Sequence, residues 1–166
     1  MPAPEPDFLA ALRALAEHRV EFVVIGGVAA VLHGAPMTTF DLDVVPARTA
    51  ENAERLHLAL AQLDACYREH LPKLLRPRTA DLLLPGHHLL MTAAGPLDVL
   101  GSVAGDRTYF DLVARSEAFA LEAKLSVRVL ALDALIELKE ATDREKDRLV
   151  LPVLRRTLEE KRKRER

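Results

Sequence analysis

Three aspartates carry the clearest chemical signal in this sequence. Asp41 and Asp43 flank a single leucine in the segment Asp41–Val45, and Asp98 lies in a second apolar segment, Pro96–Leu100. Residues two apart on a strand point to the same face, which places the carboxylates of Asp41 and Asp43 about 7 Å apart. Like charges held this way repel, and a cation between them relieves the repulsion. The spacing therefore favours a site for Mg²⁺ or Mn²⁺, which carboxylate oxygens hold together with substrate phosphates.

Asp98 extends this pattern to a third carboxylate. Its neighbours Leu97 and Val99 point to the opposite face of their strand. If that strand lies beside the one that carries Asp41 and Asp43, the three acids converge in the arrangement that two-metal catalysis of phosphoryl or nucleotidyl transfer requires. The alternative is a strand with a solvated outer face, where the same acids are surface groups of an unrelated α/β protein.

A glycine pair precedes the aspartates. Gly26 and Gly27 separate a β-branched segment, residues 20–25, from an apolar segment, residues 28–33, that predicts a helix. Glycines at such a junction let the backbone approach a ligand closely, and the N–H groups at the helix start favour a phosphate. The alternative is a tight turn without a ligand.

Composition limits the classes of protein to consider. The chain has 166 residues, 49% apolar and 29% charged, with a net charge of −2 and one cysteine. These values indicate one globular domain and exclude a disordered chain, a disulfide scaffold and a strongly basic nucleic-acid binder. The longest apolar run, residues 22–32, is shorter than a membrane span, and the N-terminus lacks a secretory pattern. We therefore expect a cytoplasmic protein with no membrane partner.

Periodicity predicts an α+β (α/β) fold, with a small mixed sheet and helices packed on one face. Helices are expected after the caps Asp7 and Thr49, over Leu132–Thr142 and over residues 144–162, with the tail KRKRER frayed. Strands are expected at residues 20–25, 41–45, 88–92 and 96–100, with a further pair within 119–129, whereas the proline-containing residues 66–86 are expected to be irregular. We divide the chain into a core, residues 1–130, and a C-terminal helical extension packed on it, residues 131–166.

Lys139 occupies an unusual position in the extension. It follows Leu132, Leu135 and Ile136 at the spacing of one helical stripe that faces the core. A lysine there loses hydration unless its ammonium group finds a partner, and a phosphate in the cleft would be one. The alternative is that its aliphatic stem packs while the ammonium reaches water.

Together these residues resemble the nucleotidyltransferase superfamily with the DNA polymerase β-like fold. That pattern, a Gly-Gly after a strand, a short helix, Asp-x-Asp and a later single Asp, corresponds here to Gly26-Gly27, Asp41-Leu42-Asp43 and Asp98. More narrowly, GGVAAVLHG followed by TFDLD is similar to minimal bacterial nucleotidyltransferases, several groups of which are toxins of toxin–antitoxin or abortive-infection systems. The C-terminal Lys139, followed by Arg144-x-Lys-Asp147, resembles the family more loosely.

The resemblance implies a Mg²⁺- or Mn²⁺-dependent transfer of an NMP from an NTP, such as ATP, to a hydroxyl group. It assigns catalysis and metal binding to Asp41, Asp43 and Asp98, and nucleotide binding to Gly26, Gly27, Thr39 and Lys139. The acceptor would be an RNA such as tRNA, a protein or a small molecule, and an antitoxin protein is an expected partner. The basic stretch Arg68–Arg78 favours a polyanion.

Two positions depart from the family pattern. Met37 stands where an arginine is frequent, and Gly27 stands where a serine is frequent. The first departure removes a cation and the second a hydroxyl group that could contact phosphate. They support an alternative, a non-catalytic member of the same fold that binds a nucleotide or a protein partner.

Overall fold

The computed structural model describes residues 5–166, which form a seven-stranded mixed sheet and six α-helices. The strands are Phe22–Ile25 (β1), Leu42–Pro46 (β2), Cys66–Tyr67 (β3), His87–Thr92 (β4), Gly95–Leu100 (β5), Ser116–Glu122 (β6) and Leu125–Leu130 (β7). The helices are Phe8–Glu17 (α1), Gly26–Leu32 (α2), Ala50–Gln62 (α3), Tyr109–Val113 (α4), Leu132–Thr142 (α5) and Glu145–Arg164 (α6). The predicted α+β class is confirmed.

The strand order is β3-β4-β5-β2-β1-β7-β6. Strand β2 pairs parallel with β5 and antiparallel with β1, and the register sets Asp43 beside Asp98 on one side and beside Ile25 on the other. All four residues of β1 are buried. In β2, Leu42 and Val44 are fully buried while Asp43 between them is half-buried. The alternation that the sequence predicted thus turns Asp43 away from Leu42 and Val44, whereas Val45 is buried as well.

The helices that cover the sheet begin where the sequence predicted. Asp7 caps α1 by accepting a hydrogen bond from the Ala10 N–H at 3.0 Å, and Thr49 caps α3 in the same way through Asn52 at 3.2 Å. The predicted stripe of α3 is buried in the core: Ala53, Leu56, Leu60 and Leu63.

The structure differs from the predictions in short elements and at element ends. Gly26 and Gly27 are the first residues of α2 rather than a break before it, and Asp41 lies one residue before β2. Residues 66–86 contain the two-residue strand β3 and two 3₁₀ turns, which are too short to give a periodic signal. The prediction of a frayed tail is wrong, because α6 continues to Arg164. Lys163 supports that last turn by pairing with Glu159 and Glu160.

Helices α5 and α6 complete the fold. They pack against each other, and α5 also contacts α2, so the C-terminal helices reach the glycine end of β1. In the part of the chain that the structure describes, no helix has the length and apolar character needed to cross a bilayer.

Candidate active site

Asp43 and Asp98 form the centre of the candidate site. They are paired neighbours on the parallel strands β2 and β5, so their backbones lie one strand spacing apart, about 4.8 Å. Burial, the charge of Asp98 and a hydrogen bond between the two carboxyl groups raise the pKa of Asp43 from 3.8 to about 7, and the charge of Asp41 adds to this shift. The nearby ammonium group of Lys139 lowers the pKa and offsets only part of the rise. Burial and the neighbouring carboxylates therefore both disfavour the charged form of Asp43.

Gly26 lies directly over the Asp43 carboxyl group. Its φ is +68°, in the left-handed region, and a Cβ built on it would lie 2.1 Å from the Asp43 Oδ2 atom. No other residue fits both conditions without moving the carboxyl group. The glycine predicted for close approach to a ligand thus also makes room for the central carboxylate.

Gly27, Thr39 and Asp41 form the next layer of the site. A Cβ on Gly27 would lie 2.4 Å from the Thr39 Oγ1 atom, so the loop before β2 packs closely on the start of α2. The Thr39 hydroxyl donates to the Asp41 carbonyl oxygen at 3.2 Å. Asp41 acts on Asp43 through its charge, and its side chain remains partly exposed.

Lys139 reaches the site from α5. Its Nζ atom donates to the Asp147 Oδ1 atom at 3.1 Å, and its side chain is 25% exposed. Asp147 is fully buried and also accepts from the Thr142 hydroxyl at 2.6 Å and from the Arg144 Nε atom at 2.9 Å. The core-facing lysine has therefore found a carboxylate partner within the protein while remaining close to Asp43.

A cleft of about 390 Å³ opens beside Asp43. Gly26, Asp43 and Lys139 line one part of it, and His87, Thr142 and Arg144 are polar groups elsewhere on its wall. The remaining wall is largely apolar, formed by Ile25, Leu100, Val103, Ala104, Leu135 and Leu138. A larger cavity of about 650 Å³ lies between the end of α2, Phe119 and α6, and other residues line it. The smaller cleft combines three of the predicted site residues, Gly26, Asp43 and Lys139, with a volume of ligand size.

Arg68 is a site residue that sequence reasoning placed only in a general basic stretch. Its guanidinium group donates to the Asp98 Oδ1 atom at 2.9 Å and to the Leu90 carbonyl oxygen at 2.8 Å. The side chain crosses β4 to reach β5, thirty residues further along the chain. The proline-rich context of Arg68 gave no periodic signal that could have predicted this contact.

The donor set fits a divalent cation at Asp43 and Asp98. Both groups supply hard oxygen ligands, and burial together with the charge of Asp98 raises the pKa of Asp43, an effect that a bound cation would oppose. Within residues 5–166, however, no three His, Cys, Asp or Glu side chains are grouped closely enough to hold a metal ion. The structure thus brings two of the three predicted acids together, and Asp41 lies at the edge of the pair.

Comparison with known proteins supports the fold. No protein-family model and no curated protein matches the sequence. Among solved structures, the chain is similar to a candidate nucleotidyltransferase from Thermotoga maritima, with a TM-score of 0.55 and 18% sequence identity. The similarity covers 96% of each chain. It therefore extends over both the sheet and the C-terminal helices, and it shows that this chain has a nucleotidyltransferase-like fold.

Proposed function

We propose that this protein is a Mg²⁺-dependent nucleotidyltransferase that moves an NMP from an NTP to a hydroxyl acceptor. The observation that carries the proposal is the pairing of Asp43 with Asp98 under Gly26, beside a cleft that Lys139 also lines. The fold shared with the Thermotoga maritima protein is consistent with it.

Asp43 and Asp98, with Asp41 at their edge, would hold the metal. When bound, Mg²⁺ supplies positive charge to the triphosphate and lowers the pKa of an attacking hydroxyl group. The proposed nucleotide contacts are the backbone of Gly26 and Gly27, Thr39 in the loop before β2, and the ammonium group of Lys139. Lys139 uses one donor on Asp147, which leaves two of its three donors for phosphate oxygens.

The proposed transfer forms one bond and breaks one bond at the α-phosphorus, and it moves one proton. The acceptor oxygen forms a bond to the α-phosphorus, the bond from that phosphorus to the bridging oxygen breaks, and pyrophosphate leaves. Asp98 receives the acceptor proton, because the Arg68 hydrogen bond uses only one of the lone pairs on its two carboxylate oxygens. Lys139 stabilises the charge on the departing phosphates.

The acceptor and the biological role are finer proposals. The acceptor would be a tRNA or other RNA, a protein hydroxyl or a small molecule, within the cytoplasm. The motif similarity to minimal bacterial enzymes supports a role as the toxin of a toxin–antitoxin system, with an antitoxin protein as partner.

The test is transfer of label from each α-labelled NTP to total cellular RNA and protein in the presence of Mg²⁺. We expect a labelled product with the wild type and a loss of at least about 10³-fold with Asp43→Asn or Asp98→Asn, equivalent to about 4 kcal/mol. Asp64→Asn is the matched control, because that aspartate is exposed and pairs with Arg76 away from the site. Transfer that survives in the Asp43 and Asp98 variants would contradict the proposal.

A second candidate function is nucleotide binding without transfer. It is favoured by the absence of a three-acid cluster among the described residues and by the engagement of Lys139 with Asp147. Calorimetric titration with Mg²⁺ and each NTP separates the two functions. Nucleotide binding with no pyrophosphate release across RNA, protein and small-molecule acceptors would favour this second function.

A further inference from the structure

Arg68 stands apart from the other arginines of its segment. Its side chain is only 25% exposed, and its partner Asp98 is 14% exposed, so this ion pair is shielded from solvent. Arg76 and Arg78 pair instead with Asp64 and Asp81, and at least one side chain of each pair is largely exposed. Shielded charge pairs with good hydrogen-bond geometry are strongly coupled, whereas exposed pairs contribute little.

The geometry of Arg68 fixes one oxygen of Asp98. One guanidinium nitrogen is tied to the Leu90 carbonyl on β4 and another to Asp98 Oδ1 on β5, so the fork bridges two strands. Arg68 takes one lone pair of Oδ1, so the second oxygen, which Arg68 does not contact, is the freer atom for the shared site with Asp43. A planar guanidinium can hold both contacts at once, which a lysine ammonium cannot do with the same directionality.

The two cations near the acid pair have different surroundings. Lys139 and Asp43 line the 390 Å³ cleft, whereas Arg68 and Asp98 are not among the described residues that line it. Lys139 is therefore placed to meet a ligand in the cleft, whereas Arg68 holds the Asp98 carboxylate and does not line the cleft.

We propose that Arg68 is the positioning residue of the metal site, which orients Asp98 so that its second oxygen and Asp43 present a preformed pair of ligands. The inference rests on the proposed function, because it concerns the same two carboxylates. Hydrogen bonds to ligating carboxylates from outside the metal shell are worth about 10–100-fold in metal affinity or activity. Arg68 acts through Asp98 and does not itself touch metal or substrate.

Charge and orientation make opposite predictions for this residue. By charge alone, removal of a guanidinium beside the site reduces repulsion and tightens cation binding. By orientation, its removal frees the Asp98 side chain and weakens cation binding. The sign of the change in metal affinity therefore distinguishes a positioning arginine from a cation that merely competes for Asp98.

The experiment measures Mn²⁺ binding to the nucleotide-free protein by electron paramagnetic resonance, with the wild type, Arg68→Met, Arg68→Lys and Arg76→Met. Arg76→Met is the matched control, since Arg76 also bonds an aspartate and a backbone carbonyl but lies away from the acid pair. We expect Arg68→Met and Arg68→Lys to weaken Mn²⁺ binding about 10-fold or more, and Arg76→Met to leave it unchanged. Thermal unfolding of each variant checks that the fold is retained.

The outcomes separate this inference from the proposed function. Tighter Mn²⁺ binding by Arg68→Met, full recovery in Arg68→Lys, or equal binding by Arg68→Met and Arg76→Met would overturn the positioning role alone, provided that Asp43→Asn still abolishes binding. Absence of Mn²⁺ binding by the wild type would overturn both.

Discussion

Asp43, which is half-buried, and Asp147, which is fully buried, are two aspartates whose surroundings shift the pKa in opposite directions. Asp147, on the first turn of α6, accepts hydrogen bonds from Lys139, Thr142 and Arg144. Burial alone would raise the pKa of Asp147, but these hydrogen bonds outweigh it and hold the pKa well below its usual range. Asp43 has another carboxylate as its nearest partner, and its pKa rises to about 7.

The difference separates a carboxylate whose charge the chain satisfies with its own donors from one whose charged form it disfavours. The chain satisfies Asp147 with its own donors, and the result is a fixed junction between α5 and α6. It leaves Asp43 short of positive charge beside a cleft, which is the condition under which a bound cation gains most. Lys139 lies between the two groups, bonded to Asp147 and acting on Asp43 only through its charge.

The largest expected effect on stability is at Asp147. Asp147→Ala removes the shared acceptor of Lys139, Thr142 and Arg144 and leaves the partly buried lysine unpaired. We expect the free energy of unfolding to fall by about 2–4 kcal/mol at pH 7, measured by urea denaturation. Glu140→Ala is the control, because Glu140 pairs with Arg155 on the surface. A loss no greater than that of the control would show that the hydrogen bonds to Asp147 do not stabilise the fold.

Replacement of Asp43 is expected to raise the free energy of unfolding and not to lower it. Between pH 4 and pH 7 the folded state keeps a proton on Asp43 that the unfolded chain releases, so this group lowers the stability of the metal-free protein as the pH rises through that range. Asp43→Asn removes the effect and should raise the free energy of unfolding by roughly 1–3 kcal/mol at pH 8.

Denaturation curves of the Asp43→Asn variant and the wild type should converge below pH 4. Asp147 provides the reverse control: its lowered pKa stabilises the fold above about pH 4, and that stabilisation is lost as the pH falls further. A wild type that is more stable than Asp43→Asn at pH 8, without added metal, would contradict this prediction. It would show that the protein's own groups stabilise the charged form of Asp43.

A smaller effect is expected from added metal. At ten times its dissociation constant, Mg²⁺ should stabilise the wild type by about 1.4 kcal/mol at pH 8. It should leave Asp43→Asn unchanged, since that variant lacks one of the two ligands. Differential scanning calorimetry with Mg²⁺, and with K⁺ at matched ionic strength, measures this. Equal stabilisation of both proteins would assign the effect to a cation site elsewhere.

Local patterns predicted the parts of the site that repeat along the chain. Alternation along Asp41–Val45 predicted that Asp43 points away from Leu42 and Val44. The glycine pair was predicted to let a ligand approach, and the structure shows that Gly26 also makes room for the Asp43 carboxyl group. The sequence did not predict that β2 pairs with β5, because strand order depends on contacts across the whole sheet.

Other features of the site could not be predicted because they depend on single long-range contacts. Arg68 reaches Asp98 from a segment without periodicity, and the core-facing Lys139 could have bonded a phosphate as well as Asp147. Which partner a buried charge finds is decided by tertiary packing, and helical spacing reports only that it needs one.

The most direct test of the shared cation is a crystal structure of the protein with Mn²⁺ and a non-hydrolysable NTP analogue. An anomalous peak bridging the carboxylates of Asp43 and Asp98, with the triphosphate in the cleft beside Gly26 and Lys139, is the result we predict. A triphosphate bound elsewhere, or an acid pair without manganese at saturating concentration, would contradict the assignment of this site.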